Sequence, residues 1–229
     1  MADNGAAMAT AFPVRRATGD DIPVLAAVLA RAFASDPFFS FLAGNAPERS
    51  QRMRDAWRGI LRYASAGLAE TWTTDDRAGA AVWIPPDRRP SSPVDQLRLV
   101  RVYARLIGWR RLRETGGAID TLEERRHVHA PIAHYYLSAL GVEPDRQGEG
   151  IGSALLGPVL VQADARGLPC YLETATARNV LLYERHGFEV VEELVLPGTD
   201  VHGWLMLRPA SAGPPAAGSG MRPNPTGSG

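Results

Sequence analysis

Lysine is absent from this 229-residue chain, which sets 25 arginines against 25 acidic residues at a net charge of zero. Without lysine there is no Gly-Lys-Ser/Thr phosphate loop, and without a positive excess a nucleic-acid partner has no electrostatic footing. Cysteine occurs once, at Cys170, which excludes an internal disulfide; its apolar surroundings mark it as core packing, and a reducing cytoplasm is the expected compartment. No apolar run approaches the roughly 18 residues of a membrane helix, so no membrane partner is expected. The first dozen residues lack the basic and apolar regions of a signal peptide. His127, His129 and His134 lie close together, yet no cysteine and no His-Glu-x-x-His pattern joins them, so no metal is expected.

What is present suits one domain with a sizeable core. We expect the domain over residues 12–209, a loose N-terminus over 1–11, and a tail over 210–229 whose Ala, Gly, Pro and Ser cannot bury enough surface to fold. A strand is predicted near Phe12 to Ala17, then a helix whose apolar face is Ile22, Leu25, Leu29 and Phe33. Asp36-Pro37 breaks that helix; Asp36 caps the next segment or contacts a cationic amine, and Phe38, Phe39 and Phe41 follow. A helix over 49–63 precedes a hairpin of strands 70–74 and 79–84. After a proline-rich connection, a long arginine-studded helix is predicted from Val94 to about Glu114 and a short one from Ile119 to His127. Glu189 to Leu196 and His202 to Leu207 read as a last hairpin.

The most informative stretch runs from Tyr136 to Gly152. Leu137 to Val142 is an apolar run of strand length, stopped by Pro144. Gly148, Gly150 and Gly152 then feed an apolar helical stripe beginning at Ser153. A glycine turn running into a helix presents unpaired amides and the positive end of the helix dipole, a setting for a phosphate or pyrophosphate. The spacing is not the dinucleotide fingerprint, because Ser153 stands where its third glycine belongs.

Gln147-x-x-Gly150-x-Gly152 directly after a strand resembles the acetyl-CoA loop of the GCN5-related N-acetyltransferase (GNAT) family. The order downstream is similar too: a helix to Arg166, a strand from Leu168 to Thr174, and then Asn179-x-x-x-Tyr183 ahead of Gly187-Phe188. Glu173-Thr174, Arg178-Asn179 and Tyr183-Glu184-Arg185, with Ala80-Ala81-Val82-Trp83 in the front half, resemble the branch containing puromycin N-acetyltransferase.

The resemblance implies an α/β (α+β) fold: a mixed, mostly antiparallel sheet of six to seven strands with helices on both faces. Its fourth and fifth strands would splay at a bulge matching Leu140, Gly141 and Val142, whose backbone would bind the pantetheine arm of acetyl-CoA. The amides of Gln147, Gly148, Glu149, Gly150, Ile151, Gly152 and Ser153 would take the pyrophosphate, and Asn179 the pantetheine amide. Tyr183 matches the general acid. Glu173, at the end of a strand, would act as base or hold the acceptor's ammonium, or else sit in a salt bridge or in solvent. The implied activity is acetyl transfer to the amine of a small molecule, such as a puromycin-like antibiotic, by direct attack in a ternary complex. A catalytically weak acyl-CoA-binding module, or acetylation of a protein or peptide amine, stands beside it, and the family's habit of pairing exposed C-terminal strands implies a homodimer.

Overall fold

The computed structural model describes residues 12–44, 48–88 and 111–211, with 100–101, 104 and 106–108 between them. The expected loose N-terminus, nearly all of the expected tail, most of the proline-rich connection and much of the arginine-studded helix lie outside the described residues. Seven strands form one sheet: β1 (Val14–Arg16), β2 (Glu70–Thr74), β3 (Gly79–Ile84), β4 (Tyr135–Val142), β5 (Cys170–Thr174), β6 (Glu189–Val195) and β7 (His202–Arg208). They lie in the order β1-β2-β3-β4-β5-β7-β6, and every pairing is antiparallel except β4 with β5. This is the mixed, mostly antiparallel sheet expected.

Both faces of the sheet are covered, and β3 shows how. Alternate side chains leave a strand on opposite faces. Ala80 and Val82 join a cluster with Leu29 and Trp57, supplied by α1 (Ile22–Ala32), α2 (Pro37–Ala43) and α3 (Arg49–Tyr63). Ala81 and Trp83 join the opposite cluster with Leu155 and Val159 of α5 (Ile151–Arg166). A strand buried on both sides reads as a continuous apolar run rather than an alternation.

The helical region before β4 departs from expectation. Gly108, at φ 78°, follows helical Ile107, and a new helix, α4 (Leu112–His129), then runs for 18 residues. Glycine takes the left-handed region without steric penalty, so the break falls there. Gly116 and Gly117, between the two helices expected from sequence, sit inside α4. The histidines set aside as metal ligands find other partners: His127 with Glu123, His129 with Glu192, and His134 with the carbonyl of Ile132. No single helix among the described residues is long and apolar enough to cross a bilayer.

The decisive feature is how β4 and β5 part. They pair only from Tyr135–Leu137 to Cys170–Leu172; beyond that, β4 stays with β3 and β5 with β7. The irregularity expected at Leu140–Val142 lies instead at Ser138, because the ladder passes from Val82↔Ala139 to Trp83↔Leu137. One extra residue flips the faces. Tyr135 and Leu137 point to the α5 side, Ala139 to the α1–α3 side, and Leu140 and Val142 back to the α5 side.

Candidate active site

Where β4 and β5 diverge, a cleft of about 660 Å³ opens. The Glu143 amide donates to Ala78 O at 2.8 Å, and in an antiparallel ladder alternate residues turn their backbone groups the other way. Leu140 and Val142 therefore direct N–H and C=O away from β3, into the cleft. Consistent with that, the Gln147 side-chain amide donates to Val142 O at 3.2 Å. The same alternation commits the Gly141 amide to β3. Gly141 serves by its missing side chain, since a Cβ there would stand 2.7 Å from Leu29 Cδ2 and hold α1 off the sheet.

At one end of the cleft the chain turns through Pro144–Arg146 and two left-handed glycines, Gly148 at φ 93° and Gly150 at φ 94°. A Cβ on either would meet nothing within 4 Å, so the backbone conformation, not crowding by the protein, demands glycine. α5 begins directly after. The Ala154 amide donates to Gly150 O at 3.0 Å, so the amides of Ile151, Gly152 and Ser153 are the first-turn donors with no partner inside the helix. Arg146, Arg178 and Arg185 line the same cleft. Arg178 donates to Gln147 Oε1 at 2.6 Å, while Arg146 is held by Asp76 and Glu149. These amides, cations and open space fit a phosphate-bearing group. All the loop and β4 residues expected from sequence line the cleft except Glu149, which anchors Arg146 instead.

α6 (Ala177–Glu184) supplies Asn179 and Tyr183 on one face. Tyr183 is 5% exposed, and its ring packs edge-on against Phe188 with centroids 5.9 Å apart. Burial, and then the negative charge of Asp36, hold the Tyr183 phenol above its ordinary pKa, so it keeps its proton at neutral pH.

Beyond Tyr183 lies an inner hollow of about 130 Å³, lined by Phe33, Phe38, Phe39, Leu122, Tyr136 and Glu173 among others. Glu173 is half-buried and makes no ion pair among the described residues. Its Oε1 is buried without a hydrogen-bond partner. Burial pushes this carboxyl up to about 7, against the pull of the Tyr136 phenol and the Arg126 guanidinium.

Sequence reasoning gave Arg178 and Arg185 no task, although both stand in the strings that carried the resemblance. Leu122 and Arg126 reach the inner pocket region only because α4 is long enough to lie there, and no local motif announces that.

The model of the acetyltransferase (GNAT) domain family matches residues 102–190. An uncharacterised N-acetyltransferase of Schizosaccharomyces pombe is 28% identical over 193 residues, covering 80% of this chain and 76% of that protein. A mycothiol acetyltransferase of Propionibacterium freudenreichii is 40% identical over 74 residues, which are 31% of this chain and 22% of that protein. Among solved structures, one described as histone acetyltransferase HPA2 and related acetyltransferase, from Corynebacterium glutamicum, superposes with a TM-score of 0.64 at 24% identity. The match covers 87% of this chain and 97% of that one, and it is a likeness of fold.

Proposed function

We propose that this chain, an acetyltransferase of the GNAT family, moves the acetyl group of acetyl-CoA to the primary amine of a small molecule with an apolar arm. The observation that carries this reading is the parting of β4 and β5, which turns the Leu140 and Val142 backbone into a cleft that also holds the glycine turn and Tyr183. Acetyl-CoA supplies an activated carbonyl. The chain's own residues bind, orient and move protons.

The loop amides and the cleft arginines hold the phosphates, as charge-assisted bonds of about 1.5 to 3 kcal/mol each. The outward edge of β4 pairs with the pantetheine amides as an added strand would. The Leu140 N–H donates to the thioester oxygen as charge develops there. The amine nitrogen bonds to the carbonyl carbon, Glu173 takes the proton lost from nitrogen, the carbon–sulfur bond breaks, and Tyr183 gives its proton to the departing thiolate. Holding both reactants in one cleft provides much of the rate, since oriented reactants reach effective molarities of about 10⁵ to 10⁸ M.

The small inner hollow supports a small acceptor rather than a folded protein surface. A puromycin-like antibiotic, with a free amine and an aromatic arm, belongs in the panel that tests this. Thiol release from acetyl-CoA is measured with puromycin, small aryl and alkyl amines and short peptides, for the wild type and Tyr183→Phe. Release with at least one amine, falling by at least about ten-fold in the variant, is the expected outcome. The substitution removes the hydroxyl and leaves the ring on Phe188. Tight acetyl-CoA binding without release for any acceptor would favour the binding-module reading instead.

The glycine turn gives a second expectation. Gly150→Ala forces a side chain into the left-handed region at a strain of roughly 1 to 2 kcal/mol, so KM for acetyl-CoA rises by about 5- to 30-fold. The amine's KM stays near the wild-type value. A variant with unchanged acetyl-CoA affinity would show that the turn does not hold the cofactor.

A further inference from the structure

The cleft and the inner pocket meet at a junction lined in common by Phe33, Asp36, Leu140, Ala175, Asn179 and Tyr183. Asp36 is the one ionisable carboxylate of this set. It is half-buried at the N-terminus of α2, where Oδ1 accepts the Phe39 amide at 3.0 Å. Oδ2 accepts from the Thr176 hydroxyl at a long 3.5 Å, and the Phe38 amide also bonds to the carboxylate. One oxygen is thus committed to the helix cap while the other retains acceptor capacity beside Tyr183.

The walls beyond it are aromatic: Phe33 and Phe39 lie 4.7 Å apart, and Phe38 packs edge-on against Phe39 at 5.9 Å. A second carboxylate, Glu173, reaches the same pocket with a buried, unpartnered oxygen. An aromatic hollow with a carboxylate at its mouth and another inside is chemistry for a cation with an apolar arm. A neutral alcohol of the same shape would leave both acids without a cation to offset their charge.

We infer that Asp36 is the residue that recognises the acceptor's charge, receiving the ammonium group of an aryl- or alkyl-bearing primary amine at the junction beside the thioester. This rests on the acetyl-transfer reading of the same site and names the determinant of its acceptor class. The incoming ammonium is steered and held by Asp36 and loses one proton to water, which frees its lone pair; the neutral nitrogen then attacks the thioester carbon and gives its second proton to Glu173. Capping explains one of the Asp36 oxygens, and acceptor recognition gives a task to the other.

Asp36→Asn separates the two roles, because asparagine caps a helix about as well as aspartate and carries no charge. The probes are 2-phenylethylamine and hexylamine, with 2-phenylethanol and hexanol as neutral counterparts. Each is titrated calorimetrically into the full chain saturated with CoA, and the amines are also assayed as acceptors with acetyl-CoA. The wild type is expected to bind at least one amine about ten-fold or more tightly than its alcohol. Asp36→Asn abolishes that preference and raises the amine KM by about ten-fold. Its kcat stays within about three-fold, its acetyl-CoA KM is unchanged, and its melting temperature stays within a degree or two. Asp36→Ala loses the cap as well and melts earlier. Equal binding of amine and alcohol by the wild type, no binding of any probe, or an Asn variant with an unchanged amine KM overturns the assignment. Preference for the amine that depends on Asp36, without turnover, would leave Asp36 as the charge reader and remove the acetyl-transfer reading. Turnover unaffected by Asp36→Asn would do the reverse.

Discussion

Replacing Glu173 by glutamine is expected to lower kcat by about 10²-fold or more, the range that a positioned general base contributes. It should do so without weakening acetyl-CoA, because Glu173 lines the inner pocket and not the cleft that holds the glycine turn. The pH profile carries the diagnostic. Burial holds the Glu173 carboxyl at about 7, so the wild-type rate under saturating substrates rises with pH through about 7 and flattens above it. In Glu173→Gln that step disappears. Deprotonation of the acceptor amine adds a separate limb at higher pH to kcat/KM, and the variant retains it. The groups that set the midpoint are the Tyr136 and Tyr171 phenols, Arg126 and Glu123 of α4, and the apolar burial that dominates them.

The same burial predicts an opposite effect on stability. A carboxyl whose folded pKa is raised binds its proton more tightly when folded. Its ionised form therefore costs stability at pH above the folded value, and the cost disappears below the unfolded value of about 4.3. A rise to about 7 corresponds to roughly 3 to 4 kcal/mol at pH 8, at 1.36 kcal/mol per unit. Glu173→Gln should thus be slow yet no less stable than the wild type at pH 8 in urea denaturation, and its advantage should shrink toward pH 4. A variant that is both inactive and destabilised at pH 8 would mark Glu173 as a packing residue instead.

Much of this was legible in the sequence because the signals are local. The β2–β3 hairpin emerges at its observed bounds since Asp75-Asp76-Arg77 is turn chemistry between two strand-like runs. The glycine turn declares itself because left-handed backbone at Gly148 and Gly150 is written as glycine. What escaped is relational. The bulge at Ser138 is a property of the register between β3 and β4, and nothing in Leu137-Ser138-Ala139 encodes it alone. Glu173 lies at the end of a strand in sequence, where a base, an ammonium contact, a salt bridge and solvent exposure fit equally well. Its Oε1 is buried because β5 sits between β4 and β7 and because α4 lies near the pocket. The break at Gly108 rather than at Gly116-Gly117 is of the same kind, since all three are glycines and tertiary packing chooses among them. Asp36 was readable as a cap, but its second oxygen acquires meaning only from the cavities on either side.

Asp21→Ala is expected to cost about 3 kcal/mol of folding free energy. Asp21 is 1% exposed. It accepts two bonds from Arg15 at 2.7 and 3.0 Å, one from Arg77 at 2.6 Å, and the Thr18 amide and hydroxyl at 2.8 and 3.1 Å. Breaking a buried pair by removing one partner costs about 3 to 5 kcal/mol. The lower end applies, because the side chains of Arg15 and Arg77 are 35% and 43% exposed and regain water. For a domain of this size that is a fall in melting temperature of roughly 6 to 12 °C. Arg77 adds to the effect: it sits at φ 59° in the β2–β3 turn, a conformation that costs about 1 to 2 kcal/mol outside glycine, and its bond to Asp21 offsets that strain. The sign with pH follows from the partners. Bonding to Arg15 first, with Thr18 and Arg77, holds the Asp21 carboxyl far below its ordinary range. Its contribution is therefore complete above about pH 5 and is lost as pH falls through the unfolded value of about 3.9 and below. Urea denaturation of wild type and variant should show a constant gap between pH 5 and 8 that narrows on acidification. A gap below about 1 kcal/mol at pH 7, or one that persists undiminished at pH 3, would mean that the cluster does not clamp the sheet. The functional consequence runs through the same turn. Asp76, one residue from Arg77, holds Arg146 beside the glycine turn, so loosening Asp21 should raise the KM for acetyl-CoA while the amine's KM stays close to wild type.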